Sequence, residues 1–212
     1  MRNILSKTRY QIFYVSPKII KHCIFPSKYC DYTQFGSDRF HPHAGNNRGV
    51  FKEDSLGFIK INNFNWDYKA GILFSKLLEY KALLNHYTGK ENWKKSKFAQ
   101  RYYNFIKIGN FPDRGFENAD DFLLGREKQI DKLFESILKN NIYPINIKND
   151  KKLFIDNISL ALTKNEELYF NNRGHHRLSI SKILGLKKIP IKITLAKSIK
   201  NLENFISSRN DC

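Results

Sequence analysis

Residues 169–193, YFNNRGHHRLSISKILGLKKIPIKI, pass from an aromatic strand-like end through a glycine into an amphipathic helix and back to a β-rich run. No other part of the chain constrains the fold as much. A strand that leads into a helix and returns as a strand over so few residues lays that helix on a sheet. The helix is expected over His175 to Leu184, closed by Gly185, with a final strand over Ile189 to Leu195. Gly174 stands at the corner, where a positive φ and a close backbone approach suit glycine. The first amides of the helix have no intrahelical acceptor, and the macrodipole adds about half a positive charge there. The corner therefore either receives an anion or merely turns. Arg173, Gly174, His175, His176, Arg177 and Ser179 are the candidate phosphate-binding residues. Arg177 offers a planar fork matched to two oxygens, and a histidine can donate to a phosphate or move a proton.

The rest of the chain supplies the sheet and its cover. Residues 10–22 read as a strand that stops at Ser16-Pro17, because proline cannot donate to a ladder. Residues 57–68 begin with alternation and hold a short strand. From about Ala70 to Ile106 the spacing becomes helical, through Leu73, Leu77, Leu78, Tyr80 and Leu84, with a break at Gly89 and a second helix around Ser96 to Ile106. Residues 116–147 carry the clearest helix, with Asn118 as N-cap and Asp120 and Asp121 complementing its positive end. Ile130, Leu133, Phe134, Ile137 and Leu138 form its apolar stripe. Asn140-Asn141 suit a left-handed C-terminal cap, and Pro144 prevents continuation. Leu153 to Leu162 and Glu167 to Phe170 read as two strands around a turn. The expected fold class is α+β: a small mixed sheet with helices, in one domain, plus a mainly helical insertion.

A net charge of +17 points to a polyanionic partner such as nucleotide phosphates or nucleic acid. The 27 lysines outnumber 10 arginines and are mostly dispersed, a pattern that also fits a solvated surface rich in AT-coded residues. Cys23, Cys30 and Cys212 make no disulfide framework, no apolar run is long enough to span a membrane, and no signal peptide is visible. A reduced, cytoplasmic protein is expected. His22, Cys23, Cys30, His41 and His43 are metal-ligand types, but their spacing fits no standard zinc pattern, so no metal ligand is assigned.

The NNRGHHRLSISKILGLKKIPIKI stretch resembles the D-G-x-H-R-L-x-A-A-x-x-L-G-x-x-x-I-P-V signature of the ParB/sulfiredoxin-like superfamily. Residues 133–147, LFESILKNNIYPINI, resemble its helix-strand segment, and residues 14–20, YVSPKII, its opening strand. The resemblance implies a core over residues 12–24 and 117–196, with residues 25–116 inserted. Sulfiredoxins carry G-C-H-R at the matching loop; His175 replaces the reactive cysteine here, so that chemistry is not expected. Free-serine kinases of the superfamily hold nucleotide phosphates on a related loop and keep an acidic general base after the first strand. ParB partition proteins bind CTP and attach a helix-turn-helix domain, for which the chain leaves no room. The resemblance therefore implies ATP or another nucleoside triphosphate, with Mg²⁺, and a small hydroxyl-bearing acceptor. His175, His176, Asp67 and Asp31 would be catalytic, one aspartate serving the acceptor hydroxyl. A nucleic-acid-binding protein or nuclease using the same corner is the alternative, and a nucleotide-gated interaction protein is a third.

Overall fold

The computed structural model describes residues 11–24, 59–61, 72–107, 116, 118–142, 157–171 and 173–210. Asp31 and Asp67, with Cys30, His41, His43, Trp66 and Asp156, lie outside the described residues. Among the described residues seven strands form one mixed sheet: β1 (Phe13–Val15), β2 (His22–Cys23), β3 (Lys60–Ile61), β4 (Ile72–Leu73), β5 (Ile158–Leu162), β6 (Leu168–Phe170) and β7 (Ile189–Ala196). Their order is β1-β7-β5-β6-β2-β4, with β3 also on β7. The free edge of β7 is shared: β1 pairs antiparallel with Ile189 to Ile191, and β3 pairs parallel with Leu195 and Ala196. β5 and β6 form a hairpin, while β5 runs parallel to β7 through a bulge at Leu160/Ala161. Every residue of β5, β6 and β7 is buried, the pattern of strands covered on both faces. The polar atoms inside are joined: Asn171 Nδ2 donates to Thr194 Oγ1, which donates to the Leu160 carbonyl.

Five α-helices of the described residues accompany the sheet: α1 (Leu78–Tyr87), α2 (Lys97–Lys107), α3 (Ala119–Asn140), α4 (His175–Ile183) and α5 (Ile199–Asn210). Two large apolar clusters result among the described residues, beside a small one of Ile24, Ala161, Tyr169 and Leu195. One joins the sheet to Phe74, Leu77, Leu178, Leu202 and Phe205. The other unites α1, α2 and α3 around Trp93, Tyr102 and Phe122. α1 belongs to both, because Leu77 at its start faces the sheet cluster while Ala82 and Leu83 face the helical one. Its far end is clasped to α3: His86 Nε2 and the Tyr87 hydroxyl both reach Asp131 Oδ1 at 3.1 Å. The Trp93 amide donates to His86 Nδ1 at 3.2 Å, which leaves the neutral ring's proton on Nε2, facing the carboxylate.

Several expectations shift by a few residues, and three change in kind. The helical spacing from Leu73 does not begin a helix. Ile72 and Leu73 pair with Cys23 and His22 as β4, and Phe74–Lys76 form a 3₁₀ turn before α1 starts at Leu78. Pairing with a distant strand has overridden local periodicity. Leu138, placed on the buried stripe of α3, is 62% exposed. Eight residues along a helix rotate a side chain by about 80° from the Ile130 direction, beyond the buried sector. Finally, α5 was not expected; its Phe205 ring packs edge-on against Phe13 at 5.4 Å and closes the sheet beside β1.

The start of α3 is as expected. Asn118 Oδ1 accepts from the Asp121 amide at 2.9 Å, and two aspartates occupy the first turn. Asn118→Ala should cost about 1 kcal/mol of stability in urea titration, the usual worth of an N-cap. At the other end Asn141 has φ 59° but an extended ψ of −173°, so the helix stops with the expected positive φ and not in a helical left-handed cap.

Candidate functional site

The corner between β6 and α4 is set by Gly174. Its φ of 79° and ψ of 22° lie in the left-handed region, and a Cβ there would stand 2.6 Å from the Ile158 Cα. The strand-to-helix turn thus presses backbone against backbone, which only glycine permits. No side chain caps α4. Its first amides lack intrahelical acceptors, the condition for an anion-receptive end.

The first two residues of that helix do not share a direction, since consecutive helical positions diverge by about 100°. A third group bridges them. Glu79, in the first turn of α1 and 8% exposed, brings Oε1 to 3.0 Å from His176 Nε2 and Oε2 to 3.2 Å from His175 Nδ1. The His176 contact is a charge-assisted hydrogen bond. The His175 contact has the distance but not the geometry of one, because both ring nitrogens of His175 are sealed from solvent without a hydrogen-bond partner. The His175 ring is fixed instead by apolar neighbours: it stacks on Phe74 at 5.2 Å and meets Phe170 edge-on at 5.6 Å. An Arg126 guanidinium nitrogen from α3 lies 3.3 Å from both His176 ring nitrogens. That puts a cation within hydrogen-bond distance of the His176 ring.

Burial keeps both imidazoles neutral. His176 is pushed down to about 4, first by desolvation, with Arg126 and His175 adding to the effect and Glu79 opposing it. His175 is lowered for the same leading reason, again against Glu79. Lys182 of α4 sits over the Phe74 ring at 5.4 Å and donates to the Pro17 carbonyl at 2.6 Å. Its burial lowers it to about 8. This contact ties α4 to the turn that follows β1.

Among the residues expected at the site, Gly174, His175 and His176 come together. Arg177 lies in the first turn of α4, with one guanidinium nitrogen sealed from solvent. Arg173 is exposed at the corner and donates its amide to the Asn171 carbonyl. Ser179 does not offer its hydroxyl to the corner. It is 0% exposed, because position 179 belongs to the face of α4 packed into the interior. Cys23 is buried in the sheet core and its thiol is raised by burial, so it is placed as a packing residue beside a half-buried His22.

Glu79 was not anticipated, since it arrives from the segment expected to be an insertion. The signal was present: Ala82 and Leu83 follow it by three and four residues, so the acid lies on the apolar face of α1. An acidic residue on a buried face calls for a partner. Neither family models, curated proteins nor solved structures give a match to this chain. Among the described residues no helix is long and apolar enough to cross a membrane.

Proposed function

We propose that the chain is a phosphoryl-binding enzyme, a nucleotide-dependent phosphotransferase acting on a small hydroxyl-bearing molecule, with its centre where α4 begins. One observation carries this reading: a buried carboxylate bridges two neutral imidazoles beside an uncapped helix start. The amides of the first turn and the cations of Arg126 and Arg177 receive the phosphates. The likeness of the Gly174-His175-His176-Arg177 loop to the nucleotide loops of the ParB/sulfiredoxin-like superfamily supports the same assignment. His176 is the proton acceptor for the attacking hydroxyl, held by Glu79, which stabilises the imidazolium that forms. In the resting protein its lowered pKa makes it a weak base. A phosphate dianion arriving beside it raises that pKa, so the base strengthens only when substrate is bound.

Mg²⁺ does not fit this centre. It takes oxygen donors in an octahedron, whereas the groups that meet here among the described residues are two ring nitrogens and one carboxylate.

Titration calorimetry of the full chain with ATP, CTP and ADP, followed by an ADP-release assay over small alcohols, tests the reading. Nucleotide should bind, and His176→Ala with Arg177→Ala should weaken it at least about tenfold. Glu79→Gln should leave nucleotide binding near that of the parent while slowing turnover by about 10²-fold. Absence of nucleotide binding, together with DNA binding that falls steeply with salt, would instead assign the corner to a nucleic-acid phosphate and the +17 charge to that partner.

A further inference from the structure

We infer that Glu79, His175 and His176 form a site for one divalent transition-metal ion of the zinc, cobalt or iron(II) class. The site uses the side chains of the phosphoryl reading but does not depend on nucleotide binding. Its ligand atoms all lie within 4.8 Å of one another. The two nitrogen–oxygen separations, 3.0 Å to Oε1 and 3.2 Å to Oε2, match the edges of a coordination polyhedron in which Glu79 binds through both oxygens. With bonds of about 2.1 Å, adjacent ligands stand roughly 3.0 Å apart in an octahedron and roughly 3.4 Å apart in a tetrahedron. Two imidazoles and one carboxylate, with other positions open, are the donors such ions select, in contrast to Mg²⁺.

The second observation is the unsatisfied ring of His175. Two buried nitrogens without a hydrogen-bond partner are costly in a folded interior, and an ion bound at Nδ1 would give that atom a partner. The ring is already oriented for this by Phe74 and Phe170, so little order is lost on binding. Both rings are held neutral by their surroundings, which keeps lone pairs available to an ion. At His176 the ion takes Nε2, the nitrogen that faces Glu79, and the neutral ring keeps its single proton on Nδ1. Arg126 opposes the ion through its like charge beside the His176 ring. Glu79 supplies the compensating negative charge. Once an ion is bound the centre is strongly positive, and an anionic oxygen is the natural occupant of an open coordination position.

The test uses the full chain, stripped with chelator and titrated with Co²⁺ and Zn²⁺. One equivalent should bind, Co²⁺ should show visible ligand-field bands, and millimolar Mg²⁺ should not compete. Glu79→Gln and His176→Ala should each weaken Co²⁺ binding by about 100-fold or more, while His22→Ala, outside the cluster, should bind like the parent. Arg126→Gln keeps all three donors and should bind several-fold tighter, which provides a readout even where a ligand variant fails to fold. No stoichiometric Co²⁺ binding, or affinity indifferent to Glu79, His176 and Arg126, would overturn the proposal. Metal binding without nucleotide binding would uphold it and end the phosphotransferase reading. Nucleotide binding and turnover by the chelator-stripped protein, without Co²⁺ binding, would do the reverse.

Discussion

Gly174→Ala should destabilise the protein by about 3 kcal/mol or more, the largest loss expected from removing no interaction at all. Two costs combine. A left-handed conformation burdens any residue with a Cβ by about 1–2 kcal/mol. The added methyl would also lie 2.6 Å from the Ile158 Cα and 2.9 Å from its amide nitrogen, where backbone and not a flexible side chain would have to move. Overpacking of this kind adds about 1–3 kcal/mol. Gly185 provides the internal control. Its φ is 64°, but a Cβ there meets nothing within 4 Å. Gly185→Ala should therefore show the conformational cost alone, about 1 kcal/mol. Urea unfolding of the two variants side by side checks the claim, and equal losses would show that the strand does not press on the corner.

Acid should unsettle the same region. His176 titrates at 6.5 when solvated and at about 4 when folded, so between these values the unfolded chain binds the proton and the folded one does not. Stability is complete above pH 6.5 and is lost as pH falls toward 4, by about 3 kcal/mol at about 1.4 kcal/mol per unit. His175, lowered by its own burial, acts in the same direction. The groups facing His176 are Glu79, which favours its proton, and Arg126 and His175, which oppose it. His176→Gln keeps an N–H for Glu79 but cannot titrate. Unfolding free energies measured from pH 7 to pH 4 should fall by about 3 kcal/mol less in this variant than in the parent. Superimposable profiles would mean that the ring is hydrated and free to charge in the folded state.

What could be read from the sequence was local. Asn118 announced the start of α3 because a cap is a contact between residues three apart, and Gly174 announced a corner because few residues other than glycine take its φ. Residues 158–196 were legible as hairpin, helix and strand because their apolar runs and breakers follow one another without interruption. Legibility failed where distant segments decide. Ile72 and Leu73 look helical until β2 claims them, and Ser179 looks available until the sheet covers its face. The two histidines were found, but their orientation was not. Sequence adjacency suggested that both would turn to a ligand at the corner; in the fold they converge on a carboxylate supplied by another helix.

That carboxylate comes from far upstream. Glu79 and His175 enclose about a hundred residues of chain, and closing such a loop is an entropic cost met late in folding. A chain still emerging from the ribosome carries the acid long before it carries the imidazoles. Until residues 175–183 have been made and docked, the acid has neither imidazole beside it, so the three-group cluster is a property of the finished fold alone.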